Sequence, residues 1–322
     1  MKTYLVTGAA GFIGSHVAAL LLERGDNVVG IDNLNDYYSR NLKEQRLQEL
    51  VTWPSFHFHK MDIENFLDLS ELFRKYRFQA VFNLAARAGV RQCLENPWIY
   101  MNTNANGTLN LLEAMRRNQV GKMVLASTSS LYSGQPTPFR EDSPVSRPLS
   151  PYAASKKSAE VMAYTFHEQY GIDVSILRYF TVFGPAGRPD MAAYQFIEKV
   201  SQGIPVTIYG DGSQARDFTY VSDIARGTLL AEKTVGYEIV NLGGGNTPVA
   251  VNQFLHWIEE LVERKAILNH QPSHGADMKA TMADISKAKS LLGWVPEVTT
   301  QEGLERTVEW HRHAECSLRF AS

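Results

Sequence analysis

A doubly wound α/β fold, a parallel sheet with helices on both faces followed by a second, smaller mixed α/β lobe, is what this 322-residue sequence predicts. Three observations carry the prediction. Short apolar runs rich in β-branched residues recur along the first half of the chain, stretches of helical period separate them, and a glycine-rich turn joins the first run to the first helical stretch. Parallel strands need long crossover connections, and a helix makes the crossover while covering a face of the sheet.

Taken in order, strands are expected at residues 3–7, 27–31, 56–60, 80–84, 122–127 and 173–178. Between the first two, Phe12, Ile13, His16, Val17, Leu20 and Leu21 fall on one helical stripe and Gly25 supplies the stop, so the opening unit is βαβ. After residue 179 the alternation decays into turns such as Gly184-Pro185 and Gly210-Asp211-Gly212, and the second lobe is expected to begin there. Residues 237–242 read as a strand returning to the sheet, and 251–264 and 302–311 as amphipathic helices. The expected division is residues 1–179 and 217–242 in a nucleotide-binding domain, and 180–216 and 243–322 in a substrate domain.

A composition of 44% hydrophobic and 20% charged residues, without low-complexity tracts, is that of an ordinary globular chain. A net charge of -2 gives no general attraction to nucleic acid or an anionic membrane, so any phosphate recognition must be local. Cys93 and Cys316 are too few for a disulfide framework and lack metal-site spacing. No run approaches the roughly 20 apolar residues of a membrane span, and residues 1–7 lack the pattern of a secretory signal. No metal and no membrane partner are expected, and the cytoplasm is the expected location.

The turn Thr7-Gly8-Ala9-Ala10-Gly11-Phe12-Ile13-Gly14 lies between a strand and a helix. Gly8 permits a tight turn, Gly11 a close approach of backbone amides to a pyrophosphate, and Gly14 close helix packing, while the helix N-terminus is partially positive. Asp32, with Asn33 beside it, ends the second strand 18 residues beyond Gly14, where a carboxylate accepts ribose hydroxyls and repels the extra phosphate of NADP. NAD is therefore the expected dinucleotide. Asp62-Ile63 and Leu84-Ala85-Ala86 follow the third and fourth strands, at the strand ends where open α/β sheets bind ligands.

Tyr152 and Lys156, four residues apart, share one face of a helix that Ser150 and Pro151 begin. A free phenol with a pKa of about 10 is a poor base at neutrality, and nearby positive charge lowers it. Ser127-Thr128-Ser129-Ser130 brings hydroxyls to the same sheet edge.

Together these motifs resemble the extended short-chain dehydrogenase/reductase family over essentially the whole chain, and hence a Rossmann fold. Asp32-Asn33-Leu34-Asn35-Asp36-Tyr37-Tyr38, Ala85-Ala86-Arg87-Ala88-Gly89-Val90-Arg91 and Arg178-Tyr179-Phe180-Thr181-Val182-Phe183-Gly184-Pro185 are most similar to the UDP-glucuronate 4-epimerases. The resemblance implies Thr128, Tyr152 and Lys156 as catalytic residues. It places Ser129, Ser130 and Thr181 by the sugar, Arg87, Arg188 and Arg216 on the substrate side, and Asp277 at the ribose. It implies NAD, a UDP-sugar substrate and a homodimer paired through residues 98–116 and 151–170. The activity implied is inversion at carbon 4, UDP-glucuronate to UDP-galacturonate, through a transient 4-keto sugar.

Related decarboxylases carry Glu where Ser130 stands, related dehydratases an Asp-Glu pair after the catalytic Thr, and UDP-glucose 4-epimerases usually Asn at the place of Thr181. UDP-glucose 4-epimerase is the main alternative, with a decarboxylase or a non-catalytic NAD sensor behind it. The chain departs from the family pattern at Tyr132-Ser133-Gly134 and at Gln271-Pro272-Ser273-His274-Gly275-Ala276.

Overall fold

The computed structural model describes residues 1–245, 247–273 and 278–319, with side chains through residue 313. In chain order, the structure opens with β1 (Thr3–Thr7), α1 (Phe12–Glu23), β2 (Asn27–Asp32), α2 (Arg40–Leu50), β3 (Phe56–Lys60), α3 (Phe66–Lys75) and β4 (Ala80–Asn83). They are followed by α4 (Pro97–Tyr100), α5 (Gly107–Arg117), β5 (Lys122–Thr128), α6 (Pro151–Tyr170) and β6 (Asp173–Tyr179). Beyond these come β7 (Thr181–Phe183), α7 (Ala192–Gln202), β8 (Val206–Tyr209), β9 (Ala215–Arg216), β10 (Phe218–Tyr220), α8 (Val221–Leu230) and β11 (Tyr237–Leu242). The chain ends with β12 (Val249–Ala250), α9 (Val251–Val262), β13 (Leu268–Gln271) and α10 (Thr300–Arg319).

Seven strands make one sheet in the order β3-β2-β1-β4-β5-β6-β11, and every neighbouring pair is parallel. Each of these strands lies within one residue, at either end, of its expected position. Alternation along β1 sends Tyr4 and Val6 to one face and Leu5 to the other. The first face packs Val17 and Leu21 of α1 and Ile224 of α8; the second packs Leu69 of α3, Leu111 of α5 and Ala163 of α6. Every residue of β5 and β6 is buried, as befits strands covered on both faces.

The winding reverses between β1 and β4, which opens a crevice at the carboxyl ends of the strands. Over it sits the second lobe, with a core of Phe183, Phe196, Val206, Phe218 and Phe254. Its short strands pair as β7 with β10, β8 with β13 and β9 with β12. Among the described residues no helix is long and apolar enough to cross a membrane.

Candidate active site

The crevice deepens into a cavity of about 520 Å³ that reaches from the glycine turn to the second lobe. Apart from Asp277, which lies outside the described residues, every site residue expected from the sequence lines it. Six cationic side chains line it (Lys43, Arg87, Arg91, Lys156, Arg188 and Arg216) against three carboxylates (Asp32, Asp62 and Asp190). A chain of net charge -2 therefore holds a local excess of positive charge where anionic ligands would lie.

Gly8 turns with φ +67, and a Cβ there would come within 2.8 Å of the Ala85 amide nitrogen. A Cβ on Gly14 would lie 2.1 Å from the Gly8 carbonyl oxygen, so Gly14 is needed by the turn itself rather than by the strand behind it. The Thr7 hydroxyl accepts the Ala85 amide at 3.0 Å and donates to Asn83 Oδ1 at 2.8 Å, which locks the turn to the end of β4. At the end of β2, Asp32 is buried, and burial raises its carboxyl while the Leu34 amide and the charge of Lys43 pull it down. A backbone cradle that no side chain can enter, with an acidic group at the neighbouring strand end, fits the pyrophosphate and ribose of NAD.

Opposite the turn, Ser150 Oγ caps α6 by accepting the Ala153 amide at 3.2 Å, and Pro151 opens the first turn. This sets Tyr152 against Tyr100, ring edge to face at 6.2 Å. Burial pushes the Tyr152 phenol up, with the Thr128 hydroxyl and then the Arg188 guanidinium holding it down. Lys156 is the cation expected for that task from the sequence, but its ammonium donates to the Ala126 carbonyl of β5 at 3.1 Å. Burial pushes Lys156 down to about 8, with Glu160 one turn further along α6 opposing the shift. Thr128 Oγ1 accepts the Ser130 amide at 3.1 Å, so the end of β5 curls into a short turn that presents the hydroxyl-bearing residues 128–130 to the cavity.

The profile of the NAD dependent epimerase/dehydratase family matches residues 4–243. The chain belongs to that family. Among its relatives is a UDP-glucuronate 4-epimerase of Thermodesulfobacterium geofontis (strain OPF15), 55% identical over 312 residues that make up 97% of each chain. The crystal structure of UDP-glucuronic acid 4-epimerase from Bacillus cereus in complex with UDP-glucuronic acid and NAD superposes with a TM-score of 0.91 at 38% identity, covering 97% of this chain and 99% of that one. The UDP-glucose 4-epimerase of Thermotoga maritima with UDP-glucose gives 0.87 at 34% identity, covering 97% and 99%.

In this epimerase/dehydratase, several groups that hold the site together are missing from the sequence reading. Asn104 accepts the Arg87 amide at 2.9 Å and donates to the Arg87 carbonyl and Ser155 Oγ, both at 2.9 Å, tying the loop after β4 to α6. Asp190 pairs with Arg188, itself expected from the sequence, accepting from its Nε at 3.0 Å. Arg46 of α2 donates to the carbonyls of Ala10 at 3.1 Å and Gly187 at 3.2 Å, joining the glycine turn to the second lobe. A signal for Arg46 exists: Leu42, Lys43, Arg46, Leu47 and Leu50 form one buried helical stripe, and two of its five members are cations.

The position of Lys156 carries a prediction. Its folded pKa, about 8, lies below the ordinary lysine value of 10.5, so the charged form destabilises the fold below pH 8 and the penalty vanishes as pH rises to 10.5. Lys156→Met removes about 3 kcal/mol of penalty at pH 7 and gives up about 1 kcal/mol of hydrogen bonding. The dinucleotide-free variant should melt about 4 °C above the parent at pH 7, and the gap should close between pH 8 and 10.5 in scanning calorimetry. A variant that melts lower at pH 7 contradicts the assignment.

Proposed function

We propose that this chain inverts carbon 4 of UDP-glucuronate to give UDP-galacturonate, with NAD held permanently in the crevice. The observation that carries the reading is Tyr152 beside Thr128 in a cavity whose β5 end bears Ser129 and Ser130 instead of carboxylates. The sheet domain, residues 1–179 and 217–242, would hold NAD, and residues 180–216 and 243–322 the UDP-sugar.

Tyr152, as phenolate, takes the proton of the 4-hydroxyl and later returns it, with Thr128 holding the oxygen in line. The chemistry NAD supplies when bound is reversible hydride acceptance, which turns the carbon-4 alcohol into a ketone and back. Arg188 supplies positive charge that makes phenolate accessible, while the Lys156 ammonium, held on the Ala126 carbonyl, stands one turn further along the same helix. A ketone at carbon 4 of a uronic acid is a β-keto acid, open to loss of carbon dioxide. Donors from Thr128, Ser129, Ser130 and Thr181 would hold the carboxylate near the ketone plane, so that the carbon–carbon bond stays out of overlap with the carbonyl. No carboxylic acid at these four positions is available to promote elimination.

The proposal includes a homodimer. Trp98 of α4 and Val161 and Tyr164 of α6 are exposed, and apolar side chains left open on these two helices support pairing with a second copy.

The test offers the purified protein UDP-glucuronate and UDP-glucose in parallel and follows product stereochemistry by NMR. Conversion of the acid should be the faster, giving the galacto product without a pentose. Faster conversion of the neutral sugar would make the chain a UDP-glucose 4-epimerase, and a pentose product would make it a decarboxylase.

A further inference from the structure

Lys43 is buried beside the proposed ribose end of the cavity, with Nζ 4.0 Å from Asp32 Oδ1. It lines the cavity, and it donates to the Asn35 carbonyl at 2.9 Å and Asn35 Oδ1 at 3.1 Å. The other nearby cation on α2, Arg46, gives its donors to Ala10, Tyr38, Ala186 and Gly187, all fixed protein oxygens. Asp32 is held in one orientation by the Leu34 amide at 2.8 Å, across a left-handed Leu34 with φ 53. An ammonium on a flexible stem therefore stands next to the carboxylate that the cofactor reading assigns to the ribose hydroxyls.

We propose that Lys43 is a masked receptor for a 2′-phosphate: paired with Asp32 it keeps that carboxylate charged for the ribose diol of NAD, and with the Asp32 charge removed it binds the 2′-phosphate of NADP. The proposal rests on the NAD reading above and deepens it. With Asp32 present, the two charges answer each other and a third, anionic group meets the carboxylate first. With Asp32 neutral, the ammonium has lost its carboxylate partner and faces the place where a phosphate would enter. The choice of NAD over NADP is then made by one side chain, because the cation that an NADP site requires is already built in.

A purely structural role for Lys43, bracing the 33–37 loop through Asn35, makes a different forecast. Loss of the brace would weaken both dinucleotides alike and leave their ratio unchanged.

The experiment equilibrates the parent, Asp32→Ser, Asp32→Ser/Lys43→Met and Asp32→Ser/Lys43→Arg with equimolar NAD and NADP. Free nucleotide is removed, the protein is denatured and the retained dinucleotides are quantified by chromatography, with circular dichroism confirming the fold of each variant. The parent should retain NAD almost alone, and Asp32→Ser should shift the ratio toward NADP by roughly tenfold to a hundredfold, the worth of one charge-assisted contact. Adding Lys43→Met should undo that shift, and Lys43→Arg should preserve it. An Asp32→Ser/Lys43→Met protein with the same ratio as Asp32→Ser overturns the proposal while leaving the NAD reading intact. A parent that retains neither dinucleotide overturns both.

Discussion

Tyr152→Phe should lower kcat by about three orders of magnitude, the usual worth of a positioned general base, while the protein still retains NAD. Tyr152 contributes the only phenol at the cavity that is held down by both the Thr128 hydroxyl and a neighbouring guanidinium among the described residues. Its burial raises it, so the basic form is scarce near neutrality, and the parent's turnover should climb with pH as phenolate accumulates. The variant should lose that climb along with the rate. Steady-state assays across pH, with retained dinucleotide measured on the same samples, separate a lost base from a lost cofactor site. Full turnover in the variant would remove the proposed base, and unchanged dinucleotide content with no turnover would exclude a mere NAD sensor as the description of the parent.

The sheet was legible in the sequence because it is written locally, as is the group of residues proposed to be catalytic. Strands buried on both faces are rich in apolar residues, and β5 and β6 advertise themselves through Met123-Val124-Leu125-Ala126 and Val174-Ser175-Ile176-Leu177. Tyr152 and Lys156 are one helical turn apart, with their cap, Ser150, in the same short segment. The second lobe hides because its strands of two to four residues, such as β9 and β12, find partners far along the chain and carry too little pattern to stand out. The same distance conceals the braces. Arg46 sits in a helix reading Arg40-Asn41-Leu42-Lys43-Glu44-Gln45-Arg46, where charge suggests solvent, yet it is satisfied by carbonyls about 140 residues away. The helical stripe shared with Leu42, Lys43, Leu47 and Leu50 signals that Arg46 is buried, but periodicity within one helix does not name the distant carbonyls that receive it.

Beneath the proposed catalytic residues lies the ion pair whose disruption should cost most in stability. Glu160 and Arg178 are almost fully buried, with Arg178 Nε and Nη2 donating to the carboxylate at 2.9 and 2.8 Å. Ser127 Oγ donates to Glu160 at 2.7 Å, and Arg178 Nη1 donates to Tyr132 Oη at 2.8 Å, linking α6 to the ends of β5 and β6. Glu160→Gln leaves the guanidinium charged and without its counterion, at a cost of about 3–5 kcal/mol, or about 6–10 °C in melting temperature. Replacing both residues, Glu160→Met with Arg178→Met, should destabilise less than the single change, because no buried charge is left uncompensated. Arg178 and Ser127 hold the Glu160 carboxyl below the usual carboxylate range. A depressed carboxyl stabilises the fold above its unfolded pKa and loses that contribution as pH falls through the folded value, so the gap between parent and Glu160→Gln should narrow below about pH 4.5. Melting curves at pH 7 and pH 4 read both effects. A single variant within about 1 kcal/mol of the parent at pH 7 would show that the pair contributes no more than an exposed one, and that α6 is held over the sheet by its apolar face alone.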